Sequence, residues 1–188
     1  LGIGLFDRAP YKHVVVNGLI LAEDGRKMSK SLNNYPPLMP TIEKYGADAM
    51  RFFLAASPAT HGEEVAFSEK SLDEVNKKVF NRLDNLYAFL NMYTQGELGS
   101  INQEEIQNNL AGIKNPLDIW VLARLNQVIG AVTKSFEAYE LSRAMRTLNE
   151  FIDDVSTWYV RRSRDRFKTE GSDRQHAIFT TRFVLENI

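Results

Sequence analysis

The chain contains no cysteine. Disulfides and thiolate metal sites are therefore excluded, and the absence fits a reducing compartment, so the expected location is cytoplasmic. Histidine is scarce: His13, His61 and His176 lie far apart without ligand-like spacing, which favours packing or surface roles over catalysis and leaves no expected metal site. No apolar run approaches the roughly 18 residues needed to span a bilayer, and the first residues lack the basic and apolar regions of a signal peptide. No membrane partner is expected. Neither sign of charge dominates, because 23 Lys and Arg stand against 24 Asp and Glu. Any attraction to nucleic acid must therefore be local. Low-complexity tracts and internal repeats are also missing. What remains is ordinary globular material: 188 residues, 44% of them hydrophobic, suffice for one large domain or two small ones. Because Ala177, Ile178, Thr181, Val184, Leu185 and Ile188 form an amphipathic stripe running to the last residue, the chain reads as a piece of a larger protein.

The most informative residues are Lys27, Met28, Ser29, Lys30 and Ser31. They follow Asp24-Gly25-Arg26 and precede Leu32-Asn33-Asn34, both turn-forming and polar, which places two lysines and two hydroxyls on a surface loop. A lysine ammonium is a compact point charge. Two on one loop can neutralise triphosphate oxygens as charge moves toward departing pyrophosphate, and the hydroxyls and loop N–H groups can add hydrogen bonds. The pattern suits nucleotidyl transfer. Neither G-x-x-x-x-G-K-[ST] nor G-x-G-x-x-G occurs, so the common nucleotide-binding alternatives have no basis here.

His13-Val14-Val15-Val16 and Leu19-Ile20-Leu21 flank Asn17-Gly18, a pattern that predicts a hairpin beneath the lysine loop. After Pro36, Pro37 and Pro40, Thr41 reads as the N-cap of a helix with Ile42, Tyr45, Ala49 and Phe52 or Phe53 on one face. From Ser68 onward the pattern is helical. Ser71-x-x-Glu74 reads as a capping box, and Leu72, Val75, Val79, Leu83, Leu86 and Leu90 form a stripe that Gly96 and Gly99 end. A polar linker over about 97–114 leads to Asn115-Pro116, a cap followed by a first-turn proline, with Leu117, Val121, Leu125, Val128, Val132 and Phe136 inside. A further helix starts near Ser142 with Ala144, Leu148, Phe151, Val155 and Trp158 inside, and another follows Gly171-Ser172-Asp173. The expected fold class is mainly α: a small α/β segment over 1–67, then an antiparallel, up-and-down helical bundle over 68–188.

A second cluster runs from Trp158 to Lys168 and holds Arg161, Arg162, Arg164 and Arg166 with Asp165 as its one acid. Arginine pairs with phosphate and stacks on bases, and an exposed aromatic stacks on an unpaired base. Spacing alone leaves an RNA contact and a plain structural helix end both open.

Lys27-Met28-Ser29-Lys30-Ser31 resembles in full the KMSKS loop of class I aminoacyl-tRNA synthetases. Tyr45-Gly46-Ala47-Asp48-Ala49-Met50-Arg51-Phe52 looks like the following helix in the isoleucyl, valyl and leucyl subgroup. Gly25-Arg26, Asn34-Tyr35-Pro36 and above all Trp158-Tyr159-Val160-Arg161-Arg162-Ser163-Arg164 look like the isoleucyl members, and the last string favours isoleucyl over valyl. The resemblance implies that residues 1–67 are the end of a Rossmann-type catalytic domain and 68–188 most of an anticodon-binding domain. It implies an ATP-dependent ligase in which Lys27 and Lys30, with Met28, Ser29 and Ser31, bind the ATP phosphates, Lys30 foremost, while Mg2+ shares the charge. The implied partners are isoleucine and tRNA(Ile), with Trp158, Arg161, Arg162, Arg164 and Arg166 as tRNA contacts in a monomer. No H-I-G-H motif, amino-acid pocket or editing domain is present, so the chain alone is expected not to aminoacylate tRNA. The same region of a valyl or leucyl enzyme, a noncatalytic RNA-binding helical module and a protein-binding bundle are the alternatives.

Overall fold

The computed structural model describes residues 1–94 and 99–188. The expected helix stop at Gly96 and the first residues of the expected linker lie outside that range. Among the described residues the architecture is helical with a single two-stranded sheet. A short helix α1 (Gly2–Phe6) lies exposed at the N-terminus. Strand β1 (Ile20–Leu21) then pairs in parallel with β2 (Val65–Ala66), Ile20 opposite Val65 and Leu21 opposite Ala66.

This pairing overturns the expected hairpin over residues 13–21. Val14, Val15 and Val16 are exposed and form no strand. Gly18 makes no hairpin turn; its N–H donates to the Ala59 carbonyl at 2.7 Å, and a Cβ there would fall 1.7 Å from the Glu63 carbonyl oxygen. The glycine answers a close backbone approach from a segment some forty residues later, and local patterning does not encode such a contact.

Helices α2 (Leu38–Tyr45) and α3 (Ala47–Ala56) are separated by Gly46 at φ 88°. The expected cap at Thr41 is displaced: α2 starts three residues earlier, and buried Thr41 turns its hydroxyl back to the Pro37 carbonyl at 2.8 Å. Pro40 falls in the first turn, where its missing N–H costs no helix bond. Helix α4 (Glu69–Val75) is capped by Ser68, whose Oγ accepts from the Ser71 N–H at 3.2 Å, so Ser71 is inside the helix and not its cap. A π turn over Asn76–Phe80 joins α4 to α5 (Asn81–Thr94). The stretch expected as linker contains α6 (Gln103–Leu110), capped by Asn102 and tied to the last helix by an Arg182–Glu105 pair at 2.9 Å.

The bundle proper consists of α5, α7 (Pro116–Glu137), α8 (Leu141–Asp153), α9 (Val160–Lys168) and α10 (Ser172–Glu186). Asn115 caps α7 as its sequence implies. Leu86, Val121, Leu125, Val128, Phe151, Val155, Tyr159, Val160 and Val184 form the core, with Leu90, Phe167 and Ala177 continuing it. Phe136, expected inside, is exposed at the end of α7. The two parts of the chain pack through α3 against α8, and His61 bonds Ser142 at 2.5 Å across that contact.

A second π turn over Asp154–Tyr159 joins α8 to α9. It carries the largest correction. Phe151, Val155, Tyr159, Ser163 and Phe167 are all buried at a constant spacing of four, where an α-helix would drift back toward 158 and 162. The π turn absorbs about one extra residue, a rotation of roughly 100°, and so keeps this row facing the core. Trp158, expected inside, is therefore turned out and is 38% exposed, while Tyr159 takes the interior position.

Candidate functional site

The lysine loop is built on a tight turn closed by an Ala22 N–H to Arg26 carbonyl bond of 2.8 Å. Asp24 braces it, accepting from the Arg26 N–H at 3.0 Å and from its Nε at 2.7 Å, with Gly25 at φ 76°. These Arg26 hydrogen bonds hold the Asp24 carboxyl below its ordinary value. Leu21 and Lys27 then form an isolated antiparallel bridge, so the loop springs directly from β1.

At its other end the loop is closed by Asn34. Its side-chain oxygen accepts from the Ser29 N–H at 2.9 Å and its amide donates to the Lys27 carbonyl at 3.2 Å. Asn33 precedes it at φ 45°, the left-handed conformation that asparagine tolerates better than most residues. Ser29 and Ser31 share a hydroxyl hydrogen bond of 2.8 Å. Met28 points the other way and helps line an apolar cavity of about 200 Å³ with Ile20, Tyr35, Met50, Leu54 and Phe67. Lys27 and Lys30 are exposed, and among the described residues neither forms an ion pair. The result is a loop with a fixed base and two free cations. Sequence reasoning missed the part Asn34 plays in closing the loop; it appears there as a polar turn former and in the Asn34-Tyr35-Pro36 resemblance.

The basic segment divides in two. Arg161, Arg162 and Arg164 are exposed on α9, and among the described residues none forms an ion pair. Arg166 faces inward, with its side chain only 11% exposed. Its guanidinium grips fully buried Asp118 through two bonds of 2.8 and 2.6 Å and reaches Asp173 at 2.8 Å, while the Tyr159 hydroxyl donates to Asp118 at 2.7 Å. Burial alone would lower the Arg166 pKa, but the hydrogen bonds to Asp118 and Asp173 outweigh it and raise it. Burial and then the Asp118 charge push the Tyr159 hydroxyl up. Arg166 hydrogen bonds hold the Asp173 carboxyl below its usual range. The network ties the first turns of α7 and α10 to α9, and two acids in first turns also suit the helix dipoles. It occupies Arg166 completely. An acid set among Leu117, Ile119, Trp120 and Val121 was the sequence signal for a buried partner.

Among the described residues no helix is long and apolar enough to cross a membrane, and no cluster of three or more His, Asp or Glu could hold a metal ion.

Residues 1–68 match the family of tRNA synthetases class I (I, L, M and V), and residues 118–188 match the anticodon-binding domain of tRNA ligase. The isoleucine–tRNA ligase of Bdellovibrio bacteriovorus is 42% identical over 187 residues, covering 98% of this chain and 17% of the relative. That of Chlamydia trachomatis is 40% identical over 187 residues, covering 98% and 18%, and that of Chlamydia pneumoniae 38% over 182 residues, covering 96% and 17%. The chain thus spans less than a fifth of the length of these curated relatives. A LeuRS of Agrobacterium radiobacter, solved in a ternary complex with tRNA and LeuAMS, aligns with a TM-score of 0.62 over 89% of this chain and 19% of that one, at 18% identity, which shows a shared fold. A complete lysine loop, a helical bundle behind it and about 40% identity along nearly every residue agree: the chain belongs to the isoleucine–tRNA ligase branch of the class I tRNA synthetase family.

Proposed function

We propose that the chain supplies the ATP-phosphate loop and the tRNA-binding bundle of an isoleucine–tRNA ligase, divided at about residue 67. In that reaction the isoleucine carboxylate attacks the α-phosphorus of ATP, an acyl–phosphate bond forms and pyrophosphate leaves; a hydroxyl of the terminal adenosine of tRNA(Ile) then attacks the acyl carbon, the acyl–phosphate bond breaks and AMP leaves. Charge on the departing pyrophosphate grows along this path. Lys27 and Lys30 are the groups here that can meet it, and Ser29, Ser31 and loop N–H groups add donors. The observation that carries the reading is the loop itself: two exposed lysines, in no ion pair among the described residues, standing on a base fixed by the Asp24-braced turn at one end and by Asn34 at the other. Preorganised charge of this kind stabilises developing charge without reorganising during the reaction. Mg2+ bound with ATP would share that charge, but the described residues offer it no cage of their own.

On the bundle, Arg161, Arg162 and Arg164 are the proposed tRNA contacts and Arg166 is not. The protein is proposed to act as a cytoplasmic monomer. In the full-length enzyme, ATP should protect Lys27 and Lys30 from amine-directed labelling. Replacing both with Ala should depress isoleucine-dependent pyrophosphate exchange while leaving tRNA affinity nearly unchanged; equal loss of both activities would refute the assigned roles. The 188-residue chain alone should show no pyrophosphate exchange.

A further inference from the structure

The π turn that buries Tyr159 delivers Trp158 to the surface, where its ring lies 4.5 Å, centroid to centroid and tilted by 53°, from that of Trp120 on α7. One turn further along α9, the Arg162 guanidinium carbon sits 5.0 Å from the Trp158 ring centroid. Aromatic surface is thus held open to water at a helix–helix seam, at 38% exposure for Trp158, with a cation already stacked on it. Packing does not require Trp158 there: Phe151, Val155, Tyr159, Ser163 and Phe167 complete the inward row without it, while Trp120 is half-buried against the core and offers the stack only its outer part.

The charges around the stack favour RNA as its partner. Nearby carboxylates are already matched: Asp153 with Arg82 at 2.8 Å, Asp154 with Arg124 at 3.3 Å and Asp165 with Lys168 at 3.0 Å. Arg161, Arg162 and Arg164 remain, three exposed cations on α9 just after Trp158, none in an ion pair among the described residues. A surface of this kind offers a π face and a planar cation to a base, and point contacts to the phosphates on either side.

We infer that Trp120, Trp158 and Arg162 form a stacking platform for one unpaired nucleobase of the bound RNA, with Arg161 and Arg164 taking flanking phosphates. This rests on the RNA-binding reading of the bundle and adds to it a site, a ligand class and a partner residue, Trp120, on another helix. The Trp158–Arg162 contact preorganises the guanidinium, and the tilt of Trp120 fixes the Trp158 ring, so neither needs ordering when a base arrives.

The chain has 2 tryptophans and both belong to the platform, so intrinsic tryptophan emission reports on this site alone. Emission from the unaltered chain is followed during titration with tRNA(Ile), with a single-stranded oligoribonucleotide and with a blunt duplex RNA of equal charge. The first two should quench it and the duplex should not. In parallel, Trp158→Ala should weaken tRNA(Ile) binding roughly 5- to 150-fold, the span of losing one stacked base, without changing the salt slope, and Trp158→Phe should recover most of the loss. If tRNA binds with emission unmoved and Trp158→Ala binds as tightly as the unaltered chain, the platform is refuted and the RNA-binding bundle stands. If no tRNA binds at all, both are refuted. Quenching is read on the unaltered chain, so it decides the matter even if Trp158→Ala disturbs folding.

Discussion

Replacing Arg166 with Met keeps much of the side-chain length and deletes the cation that faces Asp118. Asp118 is fully buried and accepts two bonds from Arg166 and one from Tyr159, so after the substitution Tyr159 is its only remaining partner in the network. Asp173, whose side chain is 52% exposed, can turn to water instead. Removing one partner of a buried pair costs about 3–5 kcal/mol because the other is left without compensation. Against a total stability of about 5–15 kcal/mol that is a large share. At roughly 2–4 °C per kcal/mol for a chain of this size, the thermal midpoint should fall by about 6–20 °C. Circular dichroism through thermal and urea unfolding at neutral pH measures it. The double variant Asp118→Leu/Arg166→Met should regain most of the loss, since apolar replacement of a whole buried pair is often neutral or stabilising by about 1–4 kcal/mol. If Arg166→Met unfolds within about 0.5 kcal/mol of the unaltered chain, the network holds nothing together, and Arg166 returns to the pool of possible RNA contacts.

Three further outcomes follow from single contacts. Asn34→Ala should open the base of the lysine loop and speed hydrogen exchange of the Ser29 amide by about 2- to 12-fold, the worth of one hydrogen bond of about 0.5–1.5 kcal/mol, with no change in helical signal; an unaltered Ser29 rate would show that Asn34 does not close the loop. Ser68→Ala removes the cap of α4 and should cost about 1 kcal/mol in urea unfolding, whereas Ser71→Ala should cost clearly less; the reverse order would put the helix start at Ser71. Asp173 has a native pKa below its ordinary value of 3.8, chiefly through its hydrogen bonds to Arg166. Its contribution to stability is therefore complete above that ordinary value and is lost as pH falls through the depressed native one. The thermal midpoint of Asp173→Asn, measured against pH, should decline less steeply on the acid side than that of the unaltered chain, and two parallel curves would contradict the linkage.

Much of the bundle was legible because its signals are local and periodic. Asn115-Pro116 marks the start of α7 by itself, and Val121, Leu125 and Val128 recur at helical spacing on one buried face. The surface position of the lysine loop was legible for a different reason: the turn formers on either side of it act locally, and no distant partner is needed to expose Lys27 and Lys30. What failed most clearly was what depends on a remote segment. Gly18 resembles a hairpin turn until Glu63 is seen against it, and β1 pairs with a strand more than forty residues away. The displaced caps at Thr41 and Ser71 failed on a smaller scale. Both residue types serve inside a first turn as well as ahead of it, and Ser68, the true cap of α4, stood three residues before the one chosen.

The misplacement of Trp158 has a cause that the sequence does contain. An inner row read at mixed spacings of three and four runs 151, 155, 158, 162 and puts Arg162 toward the core, where an unpaired cation is costly. A row read at four throughout runs 151, 155, 159, 163, 167 and places Phe, Val, Tyr, Ser and Phe inside, as the structure does. Only the second is compatible with burial, and an α-helix cannot hold it for four steps without drifting about 160°. The sequence therefore demands a local unwinding between 151 and 167, and the π turn at Asp154–Tyr159 meets that demand. The same unwinding has two consequences on opposite sides of one helix. Inward, it brings the Tyr159 hydroxyl to Asp118, whose other bonds come from Arg166. Outward, it sets Trp158 beside Trp120 and under Arg162. Deleting one residue from the turn to restore α geometry would rotate α9 against the core by roughly 100°, so the buried network and the exposed stack should be lost together.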